Sequence, residues 1–301
     1  PTVKSYLDTS YFDINDFYLK KNKAPNYHLD NFETKFQQFL ETKKQVCGLN
    51  SGTSGLNLAF LLSNLNQSDL VYVSNSTYIA SISPLLYCKG TPVFIDVDKQ
   101  TGNMDLNLLE DQIQLDLKKG KKPRAIVFTH NYGVPGNMNK LLQIKSTYQL
   151  TLIEDTAEAL GSEYKNQKCG TFSDYAIFSF NTNKIGTTFG GGALIVNSID
   201  EKRKIQKLIT HYKVVNEYKH SKLGYNYRMN DLAAYVGTLQ LKSISKELVK
   251  KNEIYNYYKK NLVKSKLYSF KEFKSIDSKS NHWLNRLVLN KSKKLDSFID
   301  F

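Results

Sequence analysis

The stretch AIVFTHNYGVPGNMNKLLQIKSTYQLTLIED, residues 125–155, decides the fold. It opens on an apolar, β-branched run, Ala125–Thr129. It passes through a helical pattern at Met138–Tyr148 and closes on a second apolar run, Leu150–Asp155, that ends in two acids. Strand, helix and strand at this spacing make a βαβ unit with parallel strands. The alternation continues outward. Val71–Ser74 reads as a strand, Ile79–Cys88 as a helix and Pro92–Val97 as a strand, while Tyr175–Phe180 and Gly192–Asn197 close the series. The fold class is therefore α/β with a mostly parallel sheet. Ligands in such sheets bind beyond the carboxyl ends of the strands. Ser74–Tyr78, His130, Asp155 and Ser179 fall there.

The chain has 301 residues, which suits one large or two unequal domains. Hydrophobic residues make up 41%, enough to bury a core, and this excludes disorder over most of the length. No apolar run approaches the ~18 residues of a membrane span, and Pro1–Ser10 carries no apolar signal segment. Cys47, Cys88 and Cys169 are far apart and odd in number. They form neither a disulfide framework nor a zinc pattern, and they suit a reducing cytoplasm. The net charge is +14. Its densest run, Lys118–Arg124, has no interleaved aromatics and reads as a solvated loop, so neither nucleic acid nor a membrane is expected as partner. After about residue 240 the character changes. Lys242–Lys264 is helical and rich in Tyr and Lys. A loop follows at Lys271–Asn281, then an apolar strand at Trp283–Leu289 and the start of a helix at Ser292–Phe301. The expected division is a large domain, 1–240, and a smaller, incomplete one, 241–301.

Several chemistries lack their motifs. Gly48–Ser54 has no P-loop lysine, and no G-x-G-x-x-G follows the first strand. H-E-x-x-H, paired Cys/His ligands and G-x-S-x-G are all absent, so no metal site is expected. Four features remain. Asn50-Ser-Gly-Thr-Ser-Gly55 is a small-residue turn opening a helix; its N–H groups and hydroxyls suit a phosphate, or an ordinary N-cap. Asp155, at a strand end, can pair with a protonated ring nitrogen or cap a loop. Lys184 follows a strand end and precedes Gly190-Gly-Gly192; in a dry cleft such a lysine becomes a Schiff-base nucleophile, on a surface it is merely solvated. Gly224-Tyr-Asn-Tyr-Arg-Met229 is an aromatic and polar turn before a helix.

Taken in order, these features resemble a pyridoxal-phosphate site. The chain is similar to the sugar-nucleotide aminotransferases of the DegT/DnrJ/EryC1/StrS family over residues ~25–300. The stretches that carry the likeness are Asn50–Ser54, Thr91–Asp98, Ile153–Gly161, Ser179–Lys184 and Gly224–Met229. Asp155-Thr-Ala-Glu-Ala-Leu-Gly-Ser162 and Asn183-Lys-Ile-Gly-Thr-Thr-Phe-Gly-Gly-Gly192 look like members that aminate UDP-linked 4-keto-6-deoxy-N-acetylhexosamines.

The resemblance implies an aspartate-aminotransferase-like fold, fold type I, and a role for each matched residue. Lys184 is implied as the residue that bonds pyridoxal 5'-phosphate and moves the proton. Asp155 is implied at the ring nitrogen, Tyr78 on the ring face, and Thr53, Ser54 and Ser179 at the phosphate. Glu158 is implied near the ring's phenolic oxygen, where other members carry Gln. Asn226 is implied at the phosphate of a neighbouring subunit's cofactor, hence a homodimer with shared sites. A nucleotide-linked keto sugar and glutamate are the implied substrates. Relatives with His in place of the lysine remove a hydroxyl, so Lys184 favours transamination over the dehydratase alternative. An inactive or regulatory fragment of the same fold is the other alternative. The family's Gly-Pro turn before Glu33-x-x-Phe36 is replaced here by Pro25-Asn-Tyr-His-Leu29. Family members also continue past the equivalent of Phe301, so the chain reads as a fragment or a short form, with an unpaired strand edge expected at Leu284–Leu289.

Overall fold

The structure, a computed structural model, describes residues 26–214, 219–262, 268–272 and 274–289. Its strands are β1 (Gln45–Leu49), β2 (Asp69–Ser74), β3 (Thr91–Ile95), β4 (Lys122–Thr129), β5 (Thr151–Asp155), β6 (Glu163–Tyr164), β7 (Gln167–Lys168), β8 (Tyr175–Ser179), β9 (Gly192–Val196), β10 (Tyr268–Phe270), β11 (Ser278–Lys279) and β12 (Leu287–Leu289). Its helices are α1 (Tyr27–Leu40), α2 (Gly52–Leu62), α3 (Ser83–Tyr87), α4 (Leu106–Lys118), α5 (Met138–Tyr148), α6 (Ile199–Leu208) and α7 (Asp231–Asn261).

Seven strands form the central sheet in the order β1-β9-β8-β5-β4-β2-β3. β9 runs antiparallel to β1 and β8, and every other neighbouring pair is parallel. Side chains alternate across a strand, and here both faces are apolar. Val71, Val73, Ala125, Val127, Ile153 and Ile177 pack on one face beneath Leu56–Phe60 of α2 and Ile205 of α6. Tyr72, Ile126, Phe128 and Leu152 pack on the other, against Leu109 and Ile113 of α4 and Leu141 and Ile144 of α5. Toward β1 that second face meets Phe32 and Phe36 of α1 and Ala233, Ala234 and Ile244 of α7. Fully burying one such side chain stabilises by about 1.5–3 kcal/mol, which makes this three-layer core the principal support of the site.

Local signals set the helix ends. Asn137 caps α5 by accepting from the Lys140 N–H, and Gln149 ends it at φ 53°. Ser198 and Glu201 close α6 with a reciprocal capping box. Asp105 caps α4, a helix the sequence reading did not name. The expected helix at Ile79–Cys88 is broken into a 3-10 turn, Ile79–Ser81, and the short α3. Pro84 lies in the first turn of α3, where its missing N–H costs nothing but from which the helix cannot extend backwards. Of the expected strand Trp283–Leu289, only β12 forms, and its one partner among the described residues is β10. The expected division at 240/241 falls inside α7, which is continuous from Asp231. The expected helix Ser292–Phe301 lies outside the described residues. β11 joins the β6–β7 hairpin, tying the C-terminal segment to the region that follows β5. Among the described residues no helix is long and apolar enough to cross a membrane, and Cys47, Cys88 and Cys169 are free.

Candidate active site

β5 ends in two adjacent acids on opposite faces of the sheet, and both are buried. Asp155 faces the α2 side. Its Oδ2 accepts from the Ser81 hydroxyl at 2.7 Å, and its Oδ1 accepts from the Ala157 N–H at 3.1 Å. Burial pushes the carboxyl above its ordinary range, and those two donors with the nearby Lys184 only partly offset it. Ser81 is itself held through Thr77, whose hydroxyl lies 2.9 Å from Ser81 and 3.1 Å from Thr129 at the end of β4.

Next to Asp155, β8 ends at Ser179, and there the N-terminus of α2 meets the sheet. Ser51 caps the helix, its hydroxyl accepting from the Ser54 N–H at 3.1 Å. Gly52 and Thr53 open it, and first-turn N–H groups have no intrahelical carbonyl. The positive end of the helix dipole therefore faces out beside Ser179. Close packing puts it there. A Cβ on Gly52 would lie 3.2 Å from the Ser179 Cβ, and a Cβ on Gly192 would collide with the Ser51–Gly52 main chain. Thr53 is exposed at the mouth. Ser54 is buried and donates to Asn50 Oδ1 at 2.6 Å, so it braces the turn from inside. Asn50 also donates to the Asn226 carbonyl at 3.1 Å. That brings the loop of Asn226, with its exposed side chain, to the border of this turn in the same chain.

Lys184 sits in the loop after β8, its N–H donating to the Asn181 carbonyl at 3.0 Å. Burial holds its amine below the ordinary lysine range, while Glu158 first and Asp155 second oppose that with their charge. Glu158, in the turn after β5, accepts from the Tyr132 N–H at 2.5 Å, and burial pushes its carboxyl up. Arg286 stacks on the Tyr132 ring at 3.8 Å, and burial lowers its guanidinium to about 10. Tyr78 stands at the start of the 3-10 turn, 74% exposed, its ring available to a planar ligand.

The C-terminal segment packs against these loops. Buried Asn281 donates to the carbonyls of Glu158 at 2.8 Å and Leu160 at 3.0 Å. Gly133, at φ 81°, makes room for it, because a Cβ there would collide with the Asn281 amide. Trp283 lies with its ring 4.1 Å from Lys184 Nζ. The structure thus sets Lys184 within electrostatic reach of Asp155 and Glu158, with Thr53, Ser54 and Ser179 at the adjoining helix end. Tyr78 and Asn226 lie on exposed loops. The sequence reading missed Ser81, Asn281 and Trp283. A lone tryptophan between two asparagines was the one signal available for the last of these. His130, flagged at a strand end, points away from this pocket to Glu154.

A family model described as the DegT/DnrJ/EryC1/StrS aminotransferase family matches residues 20–301. The chain is 34% identical over 249 residues to EpsN of Bacillus subtilis, a match spanning 82% of this chain and 64% of that one. It is 33% identical over 265 residues to a GDP-perosamine synthase of Escherichia coli O157:H7, spanning 86% and 67%. It is also 33% identical over 282 residues to a UDP-4-amino-4,6-dideoxy-N-acetyl-beta-L-altrosamine transaminase of Campylobacter jejuni, spanning 93% and 72%. The chain therefore spans about two thirds of the length of the curated relatives it matches. Among solved structures, a DegT DnrJ EryC1 StrS aminotransferase from Brucella abortus superposes with a TM-score of 0.84 at 23% identity, over 95% of this chain and 77% of that one. DesV of S. venezuelae gives 0.80 at 26%, over 91% and 71%. The PLP form of Spr1654 from Streptococcus pneumoniae gives 0.83 at 23%, over 95% and 78%. The fold is thus the α/β fold of these aminotransferases.

Proposed function

Because the chain belongs to the DegT/DnrJ/EryC1/StrS aminotransferase family, we propose that it transfers an amino group from glutamate to the 4-keto carbon of a nucleotide-linked deoxysugar, using pyridoxal 5'-phosphate. The observation that carries this reading is the half-buried Lys184 amine, under the electrostatic influence of the half-buried Glu158 and the buried Asp155 at the end of β5. The names of two relatives, a GDP-perosamine synthase and a UDP-sugar transaminase, support a nucleotide-linked acceptor.

The residues present fit the cofactor part by part. Among the described residues Asp155 has two protein donors, and it suits a protonated ring nitrogen. The first turn of α2, with Thr53 and Ser179, suits a phosphate, and Ser54 holds that turn in shape. Tyr78 offers a ring face. Glu158, whose carboxyl burial pushes above its ordinary value, suits a place beside the phenolic oxygen. When bound, the cofactor supplies the electron sink for the carbon next to the transferred nitrogen.

The chain's own work is proton control. Asp155 holds the proton at the ring nitrogen. Lys184, whose amine burial holds below the ordinary lysine range, takes the proton from the donor's α-carbon as a neutral amine, and as an ammonium it delivers one to the sugar carbon. Trp283 and Asn281 shield this exchange from water. Asn226 serves the phosphate of the neighbouring subunit's cofactor in a two-fold homodimer. Three free cysteines support a reducing, cytoplasmic setting.

Incubation of the cofactor-loaded protein with glutamate and a panel of UDP-, GDP- and dTDP-linked 4-keto sugars tests the proposal. The expected result is 2-oxoglutarate and an amino sugar in equal amounts. Loss of a sugar hydroxyl without 2-oxoglutarate would identify dehydratase chemistry instead, and no change in any sugar would overturn the reading.

A further inference from the structure

Trp283 is the single tryptophan of the 301 residues, and it is 8% exposed. Its ring is pinned on several sides. Nε1–H donates to the Asn183 carbonyl at 3.0 Å, and the main-chain N–H donates to Asn281 Oδ1 at 3.0 Å. Its carbonyl accepts from Lys251 Nζ of α7 at 3.1 Å. Asn281 is fixed in turn, its N–H donating to Ser162 Oγ at 3.0 Å and its amide to the Glu158 and Leu160 carbonyls. Trp283 therefore reaches the loop that carries Lys184 through its indole N–H and the loop that carries Glu158 through its main chain and Asn281, with its ring face over the Lys184 amine at 4.1 Å.

The charged groups that act on that amine are Glu158 and Asp155, and Arg286 acts on Glu158. The two carboxyls favour the ammonium, whereas burial favours the neutral amine. A π face adds attraction for the ammonium. We propose that Trp283 is a positioning residue for Lys184: its indole face holds the amine toward Asp155 and Glu158 and sets the amine's affinity for a proton. The inference rests on the transaminase reading only for the use to which that proton is put.

The test uses the cofactor-free chain, so its failure is distinguishable from failure of the transaminase reading. Trp283→Leu keeps an apolar side chain without the face. Trp283→Phe keeps a face without the N–H to Asn183. The readout is the pH midpoint of Lys184 modification by an amine-specific reagent, followed by peptide mapping. Trp283→Leu should move the midpoint down by about half a pH unit, and Trp283→Phe should restore most of it. Midpoints equal to wild type in both variants, with cooperative melting retained, would overturn the proposal. Wild-type fluorescence supplies a second measurement should the leucine variant not fold. The single tryptophan's emission should titrate at the Lys184 midpoint, and the transition should vanish in Lys184→Met. Emission that does not titrate, or a transition that survives in Lys184→Met, contradicts the proposal.

Discussion

Glu154 and Asp155 are neighbours on one strand, both buried and both acids, yet they live in opposite regions of the molecule. Glu154 accepts from His130 Nε2 at 3.0 Å, from the N–H groups of Gly170 at 2.8 Å, Phe172 at 3.0 Å and Ser173 at 2.9 Å, and from the Ser173 hydroxyl at 2.8 Å. His130 Nδ1 accepts from the Gly136 N–H, which fixes the ring as the tautomer that donates to Glu154. Burial pushes both carboxyls up. At Glu154 the donors outweigh it and bring the carboxyl below its ordinary value, whereas at Asp155 they do not. The difference teaches how to separate scaffold from chemistry: a saturated buried acid holds loops in place, and an undersatisfied one is available to a ligand.

The comparison breaks most easily at Glu154. Glu154→Ala leaves His130 Nε2–H and the N–H groups of Gly170, Phe172 and Ser173 without this acceptor. Removing one partner of such a buried network costs about 3–5 kcal/mol, a large share of an ordinary domain's stability. Denaturant unfolding should show a loss of that size, and a midpoint near wild type would end the scaffold reading.

Asp155→Asn should do the reverse. A neutral amide cannot keep a ring nitrogen protonated, so turnover should fall about 10²–10³-fold, the scale of losing one preorganised electrostatic contact. The fold and most cofactor contacts should survive. Steady-state rates beside cofactor retention on a desalting column check this; near-normal turnover would remove Asp155 from its role.

Acid–base linkage sharpens the contrast. The folded Glu154 carboxyl lies below its ordinary 4.5. Its stabilisation is therefore present above that value and lost as the pH falls through the folded one. The folded Asp155 carboxyl lies above its ordinary 3.8. The cofactor-free chain thus loses stability as the pH rises through the raised value. Asp155→Asn should gain on wild type as the pH rises above about 4. Melting curves of the cofactor-free proteins across pH 4–7 decide the sign, and a constant or shrinking difference would contradict it.

The smallest effect is expected at Ser81. Ser81→Ala removes the hydroxyl donor from Asp155, at a cost of about 1 kcal/mol. Turnover should drop about five- to tenfold, with the melting temperature little changed. A loss as deep as that of Asp155→Asn would mean that Ser81 touches the substrate or cofactor itself.

The sheet was legible in the sequence because each buried strand is a continuous apolar run, and Met138–Tyr148 was legible because caps and periodicity agree there. Asp155, Ser179 and Lys184 stood out because polar residues at strand ends break those runs. The partners that make the pocket work gave no such signal. Ser81 lay inside what read as a helix, and its bond to Asp155 spans 74 residues. Asn281 reaches Glu158 across 123 residues of chain. The two-residue strands β6, β7 and β11 are too short to show a period. Trp283 read as the start of a strand because an apolar run does not reveal which face it meets.

The central claim is that Lys184 is the residue to which the cofactor bonds. The direct measurement is reduction of the protein with borohydride in the presence of pyridoxal phosphate, followed by peptide mapping. The account predicts one stoichiometric label, on Lys184, and its loss in Lys184→Ala without transfer to another site. A label spread over the surface lysines, or one concentrated on a different lysine, would contradict it.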